Sequence, residues 1–486
     1  MTTTVLSVAS EAYPLVKTGG LADVVGALPA ALAAHGVQVT TLIPGFPAVA
    51  RAIDGAEAVH HWPDLLGAQA WLRRGEIDGH PLLVLDAPEF FMREGPLYTD
   101  IGGKDWPDNW RRFAALGRAA ADLASGAVPG FRFDILHAHD WQAAMGPAYL
   151  RLAPPDTDGT TDTAKSVMTV HNIAFQGAFD ASIFFELGLP HGSFSLGGVE
   201  YYGQVGFLKG GLESADAITT VSPTYAQEIH GPDFGMGLDG LIRSRVGRVH
   251  GIVNGIDPAV WNPANDTALA QRFTADTLDS RISNKRAVEA AFDLEPGEGP
   301  IFTVVSRLTW QKGMDVLAWV LDDLVATGAR LALLGSGDAG LERAFRDAAV
   351  RHPGRIGVRI GYDEALSHLL QGGADAILIP SRFEPCGLTQ LYGLAYGCVP
   401  VVARTGGLAD TVIDANEAAL SAGVATGIQF AGVSTESLKR ALHRTTTLYA
   451  DAQAWRMMQL NGMAADFSWD HSGLRYADLY RSLLGD

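Results

Sequence analysis

Short runs rich in valine and isoleucine recur along this chain, separated by stretches of helical patterning, and few folds accommodate that rhythm. In the first half the runs are Val5 to Ala9, Val39 to Ile43, Leu82 to Leu85, Ile135 to His137, Val167 to Val170 and Ile218 to Val221. They are short and continuously apolar, which fits strands of a parallel sheet buried on both faces. A second series follows at Ile301 to Val305, Arg330 to Leu334, Ile356 to Ile360, Ala376 to Ile379 and Pro400 to Ala403, with helix-like stretches such as Leu341 to Val350 between them. Two such series predict an α/β chain of two doubly wound parallel-sheet domains facing across a cleft.

The connection between them is expected at 255–273, where Asp257-Pro258, Trp261-Asn262-Pro263 and Asn265-Asp266 concentrate turn and breaker residues. It separates a domain over 1–254 from one over 274–466, leaving a final amphipathic helix at 467–486 that could pack back on the amino-terminal domain. Pro154 to Thr163 reads as an exposed loop by composition. A formal charge of −18 argues against nonspecific nucleic-acid or anionic-membrane partners, although local cationic pockets can still hold phosphates. With only Cys386 and Cys398, neither a disulfide framework nor a cysteine zinc cluster is available. No apolar run reaches membrane-spanning length and the first strand follows Met1 closely, so a cytoplasmic enzyme is expected.

The hexapeptide Thr-Gly-Gly-Leu-Ala-Asp occurs twice, at Thr18 to Asp23 after Lys17 and at Thr405 to Asp410 after Arg404. Each copy follows a strand and opens a helix, so its glycines offer backbone amides to an anion with no β-carbon in the way. Tight strand-to-helix packing is the plainer reading of either copy, but the repetition with a cation argues for two phosphate-binding turns. After the first, Leu21, Val24, Val25, Leu28 and Leu32 form a buried helical stripe, which Pro29 is expected to kink or break.

Other candidates sit where strands end. Arg307 and Lys312 leave the run Ile301 to Val305 on one loop, as expected of cations that neutralise a diphosphate leaving group without a metal. Glu384 stands between a buried strand and a helix, positioned either to cap that helix or to face sugar hydroxyls and developing positive charge, with the amides of Gly387 to Thr389 receiving phosphate. His171 ends the strand Val167 to Val170. His137-Ala138-His139-Asp140 has the look of a metal-site fragment, but the remaining spacing is missing, so Asp140 is read as a substrate contact. Gly335-Ser336-Gly337-Asp338-Ala339-Gly340 matches a dinucleotide fingerprint, yet it follows its domain's second strand and lacks a clear ribose acid, which argues against nicotinamide chemistry.

In order along the chain, Lys17-Thr-Gly-Gly-Leu, Asp108-Asn109 to Phe113, His137-Ala-His-Asp-Trp141, Val170-His171-Asn172, Val253-Asn254-Gly255-Ile256-Asp257, Ser306-Arg307-Leu308 with Gln311-Lys312-Gly313, Pro380 to Gln390, and Thr405-Gly-Gly-Leu408 resemble the bacterial glycogen synthase and plant starch synthase family. Its members are retaining glycosyltransferases with two Rossmann-like domains in the GT-B arrangement, and the resemblance spans nearly the whole chain. It implies transfer of glucose from ADP-glucose to the nonreducing end of an α-1,4-glucan such as glycogen, releasing ADP, with no cofactor and no metal. Carried over, it implies a catalytic set of Asp140 and His171 at the glucosyl unit, Arg307 and Lys312 at the diphosphate, and Glu384 at the glucose. Lys17, Gly19, Gly20, Asp23, Asn254, Gly387, Leu388 and Thr389 would bind the donor, and Tyr362 would stack on adenine. An ion-pair mechanism is favoured, with a covalent intermediate left open. The competing readings are a UDP-glucose enzyme forming sucrose, against which Lys17-Thr-Gly-Gly argues, a pyridoxal-phosphate phosphorylase, for which the chain is short, and a noncatalytic binding protein, which would tolerate loss of His171, Lys312 or Glu384.

Overall fold

The computed structural model describes residues 2–155 and 164–485; of the loop expected from Pro154 to Thr163, residues 156–163 lie outside the described residues. The chain divides into two compact units. The first comprises Met1–Gly255 with Trp469–Asp486, the second Ile256–Ser468.

The first unit carries β1 (Thr3–Val8), β2 (Val37–Pro44), β3 (Ala58–Leu65), β4 (Ala68–Ile77), β5 (His80–Asp86), β6 (Ile135–His139), β7 (Lys165–Val170), β8 (Ala178–Phe179), β9 (Glu200–Tyr201), β10 (Gln204–Gly206), β11 (Ala217–Thr220) and β12 (Val249–Gly251). Among the described residues, nine of them form one sheet in the order β12-β11-β7-β6-β1-β2-β5-β4-β3, and β8 to β10 form a small antiparallel one. The strands read from the sequence run parallel, as in β1 with β2 and with β6. The all-parallel expectation needs one correction, because β4 pairs antiparallel with both β5 and β3 at the sheet's edge. β4 alternates buried with more exposed positions and β3 buries only Trp62 and Leu65, so neither has the continuous apolar run that marks the others. Leu66 and Gly67, both at left-handed φ, turn the chain between them.

A second correction concerns Pro29. The helix Gly20–Ala33 runs through it without a break. Proline there removes one backbone hydrogen bond, whereas the stripe of Val24, Leu28, Ala31 and Leu32 is buried against Trp469, Tyr476, Ala477 and Tyr480 of the last helix, Trp469–Leu484. Burying several large side chains outweighs one missing bond. The two helices approach so closely that a Cβ on Gly473 would lie 2.6 Å from the Ala31 carbonyl oxygen.

The second unit carries β13 (Ile301–Val305), β14 (Arg330–Gly335), β15 (Ile356–Ile360), β16 (Ala376–Ile379), β17 (Val399–Ala403) and β18 (Ile428–Phe430), ordered β15-β14-β13-β16-β17-β18 and parallel throughout. Within it the stretch after Ile256 is held by Trp261, stacked on His368 (3.9 Å) and Tyr392 (3.5 Å), and by Asp266, which accepts from Tyr396 Oη (2.6 Å) and pairs with His368 Nδ1 (2.7 Å). At the other end of the unit the Ile256 amide donates to Phe467 O (2.8 Å), so entry and exit of the chain are bonded together. In each sheet the winding direction reverses once, between β1 and β6 in the first unit and between β13 and β16 in the second. Loops leaving neighbouring strands part in opposite directions at such a point, and the crevice between them is where open α/β sheets bind ligands.

Candidate active site

In the second unit the loops after β13 and β16 meet at the reversal point and form a pocket lined by Arg307, Lys312, Glu384, Gly387, Leu388 and Thr389. Lys312 Nζ lies 2.5 Å from Glu384 Oε2, and Ser381 Oγ donates to the same oxygen at 2.8 Å. The carboxylate is thus satisfied by Lys312 and Ser381 and does not cap the helix Thr389–Ala395, the alternative open from sequence. Only 17% of the Lys312 side chain and 9% of the Glu384 side chain are exposed, so removing either partner would strand a poorly solvated charge. The resemblance assigns these two residues to different parts of the donor, and here they pair with each other. Arg307 remains exposed at the pocket mouth.

Backbone packing fixes both loops. A Cβ on Gly335 or Gly337 would sit 2.0 Å from Ser306 O or 2.4 Å from Leu308 O, and Leu308 exchanges 2.8 Å backbone bonds with Ser336 and Asp338. The apparent dinucleotide fingerprint therefore braces the Arg307 loop, and the space over its first two glycines is filled by neighbouring backbone. Arg382 ties the loops together: its amide donates to Gln311 O (2.9 Å), its guanidinium grips both Asp315 oxygens at 2.7 Å and lies 4.4 Å from the centre of the Trp310 ring.

The second hexapeptide is closed, contrary to the expectation of a second phosphate-binding turn. A Cβ on Gly406 would lie 1.9 Å from Glu384 O and one on Gly407 2.1 Å from Cys386 O, while the Gly407 amide already donates to the carbonyls of Glu384 and Pro385 at 3.1 Å. These glycines let the helix Gly406–Thr411 press on the Glu384 loop; they are not a turn open to phosphate. Arg404 Nε donates to Gln429 Oε1 (2.9 Å). Tyr362, 74% exposed on the loop after β15, is not among the pocket-lining residues.

In the first unit the first hexapeptide meets its expectation of openness. Gly19 precedes the helix Gly20–Ala33, both glycines are exposed, and a Cβ on Gly19 would meet nothing within 4 Å. Lys17 Nζ pairs with Asp23 Oδ1 at 2.8 Å. Sequence reasoning missed Glu11, whose buried carboxylate accepts from the Thr18 amide and hydroxyl and from Tyr98 Oη, holding the glycine loop from beneath. Its signal was available: an acid just past a buried strand, at the carboxyl end where open α/β sheets bind ligands.

Across the reversal point, β6 and β7 deliver Asp140 and His171. The His171 amide donates to Asp140 Oδ1 at 2.7 Å, and the Asn172 amide also donates to this carboxylate. Asp140 holds a left-handed φ of 55°, a strained backbone that aspartate tolerates better than most residues. Burial pushes its carboxyl up to about 7, opposed by those amides, and drives the His171 imidazole down to about 3. His139 Nδ1 lies 3.1 Å from His171 Nε2 and its Nε2 3.2 Å from Ser7 Oγ, while His137 bonds Thr169 Oγ1 (2.5 Å) and Tyr480 Oη (2.8 Å). All four nitrogens of these two histidines are committed to hydrogen bonds. Asn254, buried after β12, has an amide oxygen with no partner among the described residues.

A family model described as the starch synthase catalytic domain matches residues 4–244, and one described as glycosyl transferases group 1 matches 286–456. The chain is 64% identical over its full length to a glycogen synthase of Novosphingobium aromaticivorans, with all of both chains covered. The chain belongs to the glycogen synthase family. A second glycogen synthase, from Mesorhizobium japonicum, is 61% identical, with 99% of this chain and 98% of the relative covered. The catalytic domain of starch synthase IV from Arabidopsis thaliana, solved bound to ADP and acarbose, superposes with a TM-score of 0.88 at 30% identity over the whole of both chains. A sucrose-phosphate synthase from Thermosynechococcus elongatus shares the fold alone, at 18% identity and a TM-score of 0.59 over 99% of each chain. Membership in the glycogen synthase family makes this chain a glucosyltransferase of glycogen synthesis, built on the two α/β domains of the GT-B fold. Among the described residues no helix is long and apolar enough to cross a membrane.

Proposed function

We propose that this chain transfers glucose from ADP-glucose to the nonreducing end of an α-1,4-glucan with retention of configuration, releasing ADP, and that it works in the cytoplasm without metal or cofactor. The observation that carries the reading is the Lys312–Glu384 pair beside Arg307 in the pocket of the second unit. As the glycosidic bond breaks, the leaving diphosphate gains charge, so fixed cations at that oxygen stabilise the transition state more than the ground state. Arg307 and Lys312 supply those cations, and Gly387 to Thr389 supply amides. When the diphosphate draws Lys312 to itself, Glu384 is released to the positive charge growing at the anomeric carbon. Lys17 and the amides at Gly19 and Gly20 bind the donor, Asp140 and His171 hold the glucosyl unit, and Tyr362 stacks on adenine.

Release of nucleoside diphosphate with glycogen as acceptor, compared between ADP-glucose and UDP-glucose, tests this directly. ADP release that depends on glycogen and falls by about 100-fold or more in both Lys312→Ala and Glu384→Ala is expected, each loss corresponding to about 3 kcal/mol. Preference for UDP-glucose would overturn the donor; undiminished turnover in Lys312→Ala would overturn the role of the pair.

A further inference from the structure

Beneath His171 lies a chain of polar groups that the reaction as described does not use. Ser7 of β1 is fully buried, and His139 Nε2, 3.2 Å away, is the partner of its hydroxyl. His139 is fully buried too and passes on to His171 Nε2 at 3.1 Å. We propose that Ser7 and His139 are positioning residues that fix His171 as the tautomer protonated on Nδ1, so that it offers substrate a hydrogen-bond donor. This rests on the glucosyl-transfer reading above, in which His171 meets the sugar.

A buried hydroxyl that only accepts leaves its own O–H unsatisfied, whereas one that donates leaves only lone pairs unfilled, and orphaned donors are the rarer and costlier case. Ser7 therefore donates to His139 Nε2, which must be bare. A neutral His139 then carries its proton on Nδ1 and donates to His171 Nε2, which must be bare in turn. The proton of a neutral His171 is left on Nδ1, a nitrogen with no partner among the described residues. Burial drives His171 to about 3 and His139 well below the ordinary value, so both rings are neutral near pH 7 and each carries one ring proton. His137 does not intervene, since both its nitrogens are held by Thr169 and Tyr480. The opposite polarity would make His171 Nδ1 an acceptor, and a sugar oxygen would then have to supply the proton.

Two-bond proton–nitrogen correlation spectra of the full chain labelled with nitrogen-15 histidine read the tautomer directly, with His171 assigned by its absence in His171→Asn. Protonation of His171 on Nδ1, and of His139 on Nδ1, is expected; protonation of His171 on Nε2 overturns the proposal. In Ser7→Ala the His171 signals should move toward the Nε2-protonated form and kcat should fall about tenfold, the equivalent of one weak hydrogen bond, with KM for the donor unchanged. Ser7→Thr, which keeps the hydroxyl, should restore both. A fall in kcat with no tautomer shift would make Ser7 a packing residue and overturn its role, and should the variants not fold, the wild-type spectrum alone decides. Absence of glucosyl transfer in the wild type would instead overturn the reading of function while leaving the tautomer assignment standing.

Discussion

At Thr18 to Asp23 the hexapeptide lies open beside the reversal point of its sheet, and at Thr405 to Asp410 the same six residues are closed under another loop. The first follows β1, a strand at the reversal point, and a Cβ on Gly19 would meet nothing within 4 Å. The second follows β17, one strand away from the reversal between β13 and β16, and its glycines have Glu384 and Cys386 backbone where a ligand would be. Glycine provides close approach in both places. What lies against the glycines is decided by the strand that the motif follows: open space at the crevice, neighbouring backbone one strand out.

The sharpest way to break this comparison is to add the same methyl to each copy. Gly407→Ala, with its new carbon 2.1 Å from the Cys386 carbonyl oxygen, should lose about 3 kcal/mol of stability or more and displace Glu384. Gly19→Ala meets no clash and should cost only the loss of a favourable N-cap residue, under about 1 kcal/mol. Equal losses in thermal unfolding would refute the distinction. Next in size, Lys17→Ala should lower kcat/KM for the donor about thirtyfold, near 2 kcal/mol, while Arg404→Ala stays within about twofold of the wild type in the same steady-state assay. Glu11→Gln keeps the shape under the first copy but weakens charge-assisted bonds to Thr18; a rise in donor KM of about fivefold, with thermal stability retained, is the expected result.

A separate test concerns pH. Burial takes His137 from 6.5 to about 3 in the folded chain, so between those values the unfolded state binds the extra proton and the folded state does not. Stability should therefore be lost as pH falls through this window and be indifferent to His137 above it. Denaturant unfolding of His137→Gln at several pH values should give a shallower acid decline; an unchanged slope would mean that His137 is not held neutral.

The strands with both faces covered were legible because burial on two sides leaves an uninterrupted apolar run. β3 and β4 were not, because one face meets water and dilutes the pattern. Pro29 misled because a local rule about helices says nothing of the last helix, more than four hundred residues downstream, that packs over it. At the candidate site, residue types at strand ends were enough to single out Arg307, Lys312, Glu384 and His171. The pairing of Lys312 with Glu384, the clamp of Arg382 on Asp315 and Trp310, and the support of Thr18 by Glu11 depend on which loops the sheet order brings together. The two glycine motifs, identical as strings, could be told apart only by that order.

The last helix also has a consequence in time. A ribosome delivers residues in sequence, and the second unit, Ile256–Ser468, is one uninterrupted stretch that can close as soon as it has emerged. The first unit begins to emerge earlier but finishes later, because the surface formed by Val24, Leu28 and Leu32 waits for Trp469 to Tyr480, the partner that covers it. Until Trp469 to Tyr480 have emerged, that apolar strip is bare on a nascent chain, and a chain cut short before Trp469 would damage the half made first.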